Sequence, residues 1–203
     1  MSRTTLSTLL LLLAVIVGVP PLPGCASSRA RGPYSASPGE NRDPQLSREL
    51  TAKAKEVWAS HPERAEKLLR DALDADLFNG PAHNNLGVLL LKQGRLYDAA
   101  SEFEWGRKLL PGHPDPRVNL ALTLEKAGKT DSAMDAYDSA LAVHDGYLPA
   151  LQGRARLQIL SGRRDRVNVD DLQQIALRGD PEWQAWARLW STKLFDQAGV
   201  LNQ

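Results

Sequence analysis

One stretch of the chain repeats itself at a fixed interval, and that interval limits the folds open to it. NNLGVLLLKQGRLYDAASEF, Asn84 to Phe103, superimposes on the sequence 34 residues downstream. Leu86 falls on Leu120, Leu90 on Leu124, Gly94 on Gly128, Ala99 on Ala133 and Phe103 on Tyr137. Gly87 falls on Ala121, and Gly106 on Ala140, so every pair keeps its size class. Leu86, Leu90 and Leu91 recur at helical spacing before Gly94, and Ala99, Ala100 and Phe103 after it. The stretch therefore predicts two helices broken by a glycine turn. Small residues let paired helices approach closely, and an aromatic fills the gap between neighbours. A helix pair this short cannot bury its own apolar faces; stacking on further pairs completes the core, which makes the architecture a helical solenoid.

The two matching units, about 80–113 and 114–147, resemble the tetratricopeptide repeat, a helix-turn-helix unit of the same period. Pro111 takes that family's late Pro position in the first unit. His83 stands where the family usually has an early Trp, and Asp145 where the second unit would have its Pro. An earlier unit places Ala65, Leu69 and Ala72 on its second helix. With a turn one residue shorter, Leu50, Ala54 and Val57 form the buried stripe of its first helix. After Tyr147 a further first helix has Ala155 at the small position and Gly162 at the turn, but Asp171 then falls where the aromatic belongs. The expected fold is all-α: a tetratricopeptide solenoid of about three to four repeats over 46–161, and a C-terminal helical cap over 162–203.

Within the cap, Leu172, Ile175 and Ala176 share one helical face ahead of Gly179. Asp180 is placed to cap a last helix with Pro181 in its first turn. Trp183, Trp186, Ala187, Trp190 and Leu194 then recur at amphipathic spacing. Two roles are open for this face: a lid over the solenoid's exposed apolar end, or an aromatic surface for a partner.

The N-terminus reads differently. Leu6 to Val19 is an uncharged apolar run of 14 residues behind one Arg, short for a membrane span and suited to a signal peptide. Leu22, Gly24 and Cys25 then resemble the lipobox of bacterial lipoproteins, with Pro23 where Ala or Ser is usual. The resemblance implies that residues 1–24 are removed and that Cys25 is acylated, giving a lipid anchor in the membrane. Ala26 after it implies an outer-membrane address facing the periplasm in a diderm. The alternative is an ordinary secretory signal followed by a free thiol. Residues 25–45 hold this Cys and a Ser-, Pro-, Gly- and Arg-rich stretch without apolar periodicity, expected to be a disordered tether with a reach of about 25 Å.

Charge and motif content exclude several functions. The formal net charge is +1, and beyond residue 24 it is balanced at 24 basic and 24 acidic residues. No basic field exists to hold a phosphate backbone, so nucleic acid is not an expected partner. A single Cys rules out an intrachain disulfide. His61, His83, His113 and His144 lie far apart without Cys beside them, so no zinc-ligand spacing appears. His61 and His113 precede Pro in turns and are expected in solvent, His83 to be packed in place of the family's Trp, and Asp170 and Asp171 to serve as helix N-terminal charge. RRDR, Arg163 to Arg166, reads as a solvated loop. An enzyme site would have to lie in 163–203, which contains no His and no Cys. The chain is therefore expected to bind, not to catalyse, with no cofactor, metal or small-molecule substrate.

The tetratricopeptide resemblance implies a concave groove lined by the first helices. Trp58, Asn84, Asn85, Lys92, Asn119, Lys126, Gln152 and Arg156 are its candidate binding residues, with Val88, Leu91, Val118, Leu122 and Glu125 between them. Asn85 and Asn119 hold equivalent positions and are expected to act as rungs for an extended peptide backbone. The adjoining units lack the rung, with Gly153 at that position of the fourth and Thr51 or Ala52 in the first, so the ladder is short. The expected function is a membrane-anchored adaptor for protein or peptide partners at the bacterial envelope, as in pilus or secretion-system assembly; the alternative is a soluble secreted peptide-binding module.

Overall fold

The structure, a computed structural model, describes residues 42–163, 167 and 169–200, with side chains up to Leu194. The apolar run, Cys25, most of the tether and Arg164 to Arg166 lie outside the described residues. Those described form nine helices and no strand: α1 Pro44–Val57, α2 Pro62–Ala75, α3 Gly80–Lys92, α4 Leu96–Leu109, α5 Asp115–Lys126, α6 Thr130–Val143, α7 Leu148–Leu160, α8 Val169–Arg178 and α9 Pro181–Val200. Successive helices pair as α1/α2, α3/α4, α5/α6 and α7/α8, and α9 closes on α8.

The helix ends follow the expected chemistry. Gly94, Gly128 and Gly162 adopt φ of 77°, 72° and 76°. In each case the next residue's N–H returns to a carbonyl five residues earlier: Arg95 to Leu90, Lys129 to Leu124, Arg163 to Gln158. These left-handed turns reverse the chain and satisfy carbonyls that the helix leaves open. Asp180 Oδ1 accepts the Trp183 N–H at 3.0 Å, so the Asp180–Pro181 start is as expected. Helix α1 begins two residues earlier than expected, because Asp43 caps it through the Leu46 N–H ahead of Pro44.

The aromatic–small pairing of the repeat is literal contact. A Cβ on Gly87 would stand 2.6 Å from the ring of Phe103, and one on Gly153 2.3 Å from that of Tyr137. Phe103 belongs to the same helix pair as Gly87, whereas Tyr137 on α6 reaches Gly153 on the next pair, so the same device works within a unit and between units. His83 is fully buried, as its surrogate role requires. Its Nδ1 lies 2.7 Å from Glu102 Oε2 and its Nε2 2.9 Å from the Leu77 carbonyl, while its ring stacks on Trp105.

Two apolar clusters make the core. The larger runs from Ala54 to Leu157; the second gathers Leu151, Ala155, Ile159, Val167, Leu172, Ile175 and Ala187. Trp183, Trp186, Trp190 and Leu194 lie half-buried against the second, so the tryptophan face of α9 packs on the core. Asp170 and Asp171 lie in the first turn of α8, as expected, and Asp171 is also buried, where Arg154 of α7 donates to it. The position that lacks an aromatic is thus closed by an ion pair.

Candidate functional site

The inner wall is built by helix packing. Among the first helices, α1 touches α3, α3 touches α5 and α5 touches α7; the second helices α2, α4 and α6 make at most marginal contact with one another. Rows of unequal spacing must curve toward the closer row, so the first helices form the concave side. The candidate residues fall on or beside these helices in three groupings.

At one end, Lys92 Nζ stands 5.4 Å from the ring centre of Trp58, a cation–π contact between the α1/α2 turn and the end of α3. In the middle, Asn119 Nδ2 donates to Asn84 Oδ1 at 3.0 Å across α5 and α3. Asn84 and Asn85 border a hollow of about 250 Å³, together with Lys55, His113 and Asp115 over Pro81, Leu110 and Pro116. Asn85 Nδ2 is buried and has no hydrogen-bond partner among the described residues. At the other end, Arg156 grips Glu125 in fork geometry, Nη1 to Oε1 at 2.7 Å and Nη2 to Oε2 at 2.8 Å. Gln152 is half-buried on α7, its Nε2 beside Gly179 in the turn between α8 and α9. Lys126 is exposed at the end of α5 and forms no ion pair among the described residues.

Several polar groups there are already satisfied. Tyr137 donates to Glu125 Oε2 at 3.2 Å, and burial, aided by the Glu125 charge, holds its hydroxyl well above the ordinary phenol range. The Tyr147 hydroxyl donates to Asp115 Oδ1; burial, and then that bond, push it up to about 12. Both phenols are therefore neutral donors at neutral pH.

Some expectations need correction. Asn85 and Asn119 are not equivalent free rungs, because the Asn119 amide is engaged by Asn84, which sits one residue earlier in its unit. In keeping with the rung missing from the first unit, Thr51 is buried, its hydroxyl donating to the Ser47 carbonyl at 2.8 Å and accepting from Asn79 Nδ2 at 3.2 Å. Val118 belongs to the core, not the groove. Glu125 and Arg156 neutralise each other. The sequence reading missed Lys55, Asp115, Tyr147 and Glu102 as partners. Their signal is pairwise, one residue on each of two helices, and no repeat position announces it.

The sequence matches the family described as protein kinase G tetratricopeptide repeat over residues 42–195. No curated protein matches it in sequence. Among solved structures, the chain resembles YrrB, a tetratricopeptide protein with an unusual peptide-binding site, at TM-score 0.60 and 16% identity, covering 74% of this chain and 76% of that one. It resembles PilF of Pseudomonas aeruginosa at TM-score 0.58 and 19% identity, covering 78% of each. The first tetratricopeptide domain of RPAP3, bound to the HSP90 peptide SRMEEVD, matches at TM-score 0.58 and 15% identity, over 61% of this chain and 99% of that one.

Proposed function

Because this chain belongs to the protein kinase G tetratricopeptide repeat family, we propose that it is a binding scaffold whose groove holds an extended segment of a protein partner. The observation that carries this is the pair Asn84 and Asn85 at a hollow on the concave side, with Asn119 bonded to Asn84 and with Asn85 Nδ2 lacking a hydrogen-bond partner among the described residues. A buried unpaired donor costs about 1–3 kcal/mol, and an acceptor oxygen brought by a ligand offsets that cost. An amide carries one acceptor and two donor hydrogens, so Asn85 and the free side of Asn119 match the C=O and N–H of an extended backbone. Such recognition asks little of the ligand's side chains. The peptide held by the RPAP3 domain and the peptide-binding site of YrrB support the reading. The amides at its centre can hold a peptide backbone, so we read the role as binding.

The second part of the proposal is the address. Cys25 is acylated and ties the scaffold to a bacterial membrane, with the tether holding the helices off the surface; Leu6 to Val19 and the Leu22–Cys25 sequence support it. The envelope systems to which the sequence resemblance points are pilus and secretion-system assembly. The groove is tested by capturing a partner from envelope extract with the full-length protein, then titrating that partner against Asn85→Ala/Asn119→Ala. Affinity should fall at least tenfold. Removing one neutral hydrogen bond costs about 0.5–1.5 kcal/mol, so melting should drop by only a few degrees. Equal affinity moves the site off the groove.

A further inference from the structure

A second recess lies on the other side of α5. Arg117, Leu120 and Leu124 stand about half a turn around that helix from Asn119, Leu122 and Lys126, at roughly 100° per residue. There α4 and α6 part over α5 and leave a cleft of about 430 Å³, apolar at Ala100, Leu120, Leu124 and Ala136. Arg117, 9% exposed, is its buried charge. The guanidinium is fixed by neutral acceptors: Nε donates to Ser139 Oγ at 3.1 Å and Nη1 to the His113 carbonyl at 2.9 Å. Its Nη2 makes no hydrogen bond among the described residues.

Arg117 stands apart from its kind. Every half-buried arginine among the described residues has a carboxylate partner: Arg70 with Glu66, Arg107 with Glu104, Arg154 with Asp171, Arg156 with Glu125 and Arg163 with Asp131. Arg117 is more buried than any of them and has none. Burial, with the positive charge of Arg107 adding to it, lowers the Arg117 pKa. By contrast, hydrogen bonds donated to Asp76 and Asp98 raise those of Arg42 and Arg95. A buried charge without a counter-charge is strongly unfavourable, and a ligand that supplies one removes that penalty.

The chemistry of the ligand follows from the lining. The N–H donors of Nη2 remain for one carboxylate. Glu104 is already held by Arg107, and Asp135 adds a negative charge at the exposed rim, so a dianion such as phosphate would have its second charge unmatched and repelled. The apolar floor suits aliphatic neighbours. We propose that this cleft is a second docking surface, distinct from the groove, that takes a carboxylate side chain flanked by aliphatic residues from a protein partner.

Two acetylated, amidated tripeptides, Leu-Glu-Leu and Leu-Gln-Leu, test it on the full-length ¹⁵N-labelled protein, with the Arg117 Nε–H resonance followed by NMR. The glutamate peptide should shift that resonance saturably and bind at least tenfold tighter than the glutamine peptide. Arg117→Gln should abolish the difference. Because that substitution also removes loop contacts, two exposed rim variants give an independent reading. Asp135→Asn should tighten the glutamate peptide about two- to threefold by removing a like charge, and Ser132→Glu should weaken it at least as much. Equal binding of the two peptides overturns the proposal, as does indifference to both rim variants. So does inorganic phosphate binding as tightly as the glutamate peptide. Shifts confined to the Asn84 and Asn119 amides would place the peptide in the groove, which refutes the cleft while leaving the groove reading intact.

Discussion

Replacing Gly153 with alanine asks whether the helices touch as closely as the repeat pattern implies. In an exposed helix interior the change would stabilise by about 1 kcal/mol, since alanine is the better helix former. At Gly153 the new methyl would lie 2.3 Å from two ring carbons of Tyr137 and 2.5 Å from its hydroxyl oxygen. Non-bonded carbons rest at about 3.5–4.0 Å, so the ring or α7 must shift by about an ångström. Overpacking of this kind costs about 1–3 kcal/mol. Moving the ring also gives up the hydrogen bond from Tyr137 to Glu125, and a bond to a charged group is worth about 1.5–3 kcal/mol. The two losses outweigh the propensity gain and leave a net destabilisation of roughly 2–4 kcal/mol. For a chain of this size that lowers Tm by roughly 5–15 °C. Thermal and urea unfolding followed by far-ultraviolet circular dichroism would measure it. Adding Tyr137→Leu removes the ring, so the double variant should be more stable than the two single losses predict, by about 1 kcal/mol or more. A Gly153→Ala protein that melts at or above the wild type, or losses that simply add, would refute the close-contact account.

The lid, the acid limb and the anchor give further tests. Trp186→Ala should cost about 2–3 kcal/mol, less than the 3–5 of a fully buried aromatic because the ring is half-exposed, and should raise binding of an apolar dye. Burial alone would raise the Asp76 carboxyl, but hydrogen bonds from Arg42 and the Phe78 N–H outweigh it and hold it below the usual carboxylate range. A lowered folded pKa stabilises above the unfolded value of about 4, and the contribution fades as pH falls through the folded one. Asp76→Asn should therefore lower stability at neutral pH and flatten its decline below about pH 4, read from urea midpoints across pH. Cys25→Ser should leave the protein soluble or unprocessed, because acyl chains contribute about 0.8 kcal/mol per buried methylene; fractionation identical to wild type overturns the anchor.

What the sequence made legible is what packing repeats. Leu86 and Leu120, Gly94 and Gly128, Phe103 and Tyr137 answer to the same steric demand in each unit, and one period exposes them all. The Trp183–Leu194 stripe was readable for the same reason, since a single helical period fixes its face. One-off partnerships were not. Arg154 meets Asp171, Asn119 meets Asn84, and Arg117 meets neutral acceptors because of how neighbouring helices happen to align, and nothing in either residue's own surroundings along the chain names the other. The amides show the same limit: equivalent repeat positions align Asn85 with Asn119, whereas lateral packing bonds Asn119 to the residue before Asn85, Asn84.

Helix α7 buries two faces at once. Ala150 and Leu157 complete the first cluster, while Leu151, Ala155 and Ile159 open the second. Elsewhere a unit can be copied or deleted as a block, since each joint repeats the last; that is how such arrays lengthen and shorten over generations. At α7 the block has no clean edge. A duplication that ended there would hand the next unit a surface shaped for Leu172 and Ile175, and a deletion would strand Leu151 and Ile159 in water. Copying or deletion is thus freer upstream of α7 than at it.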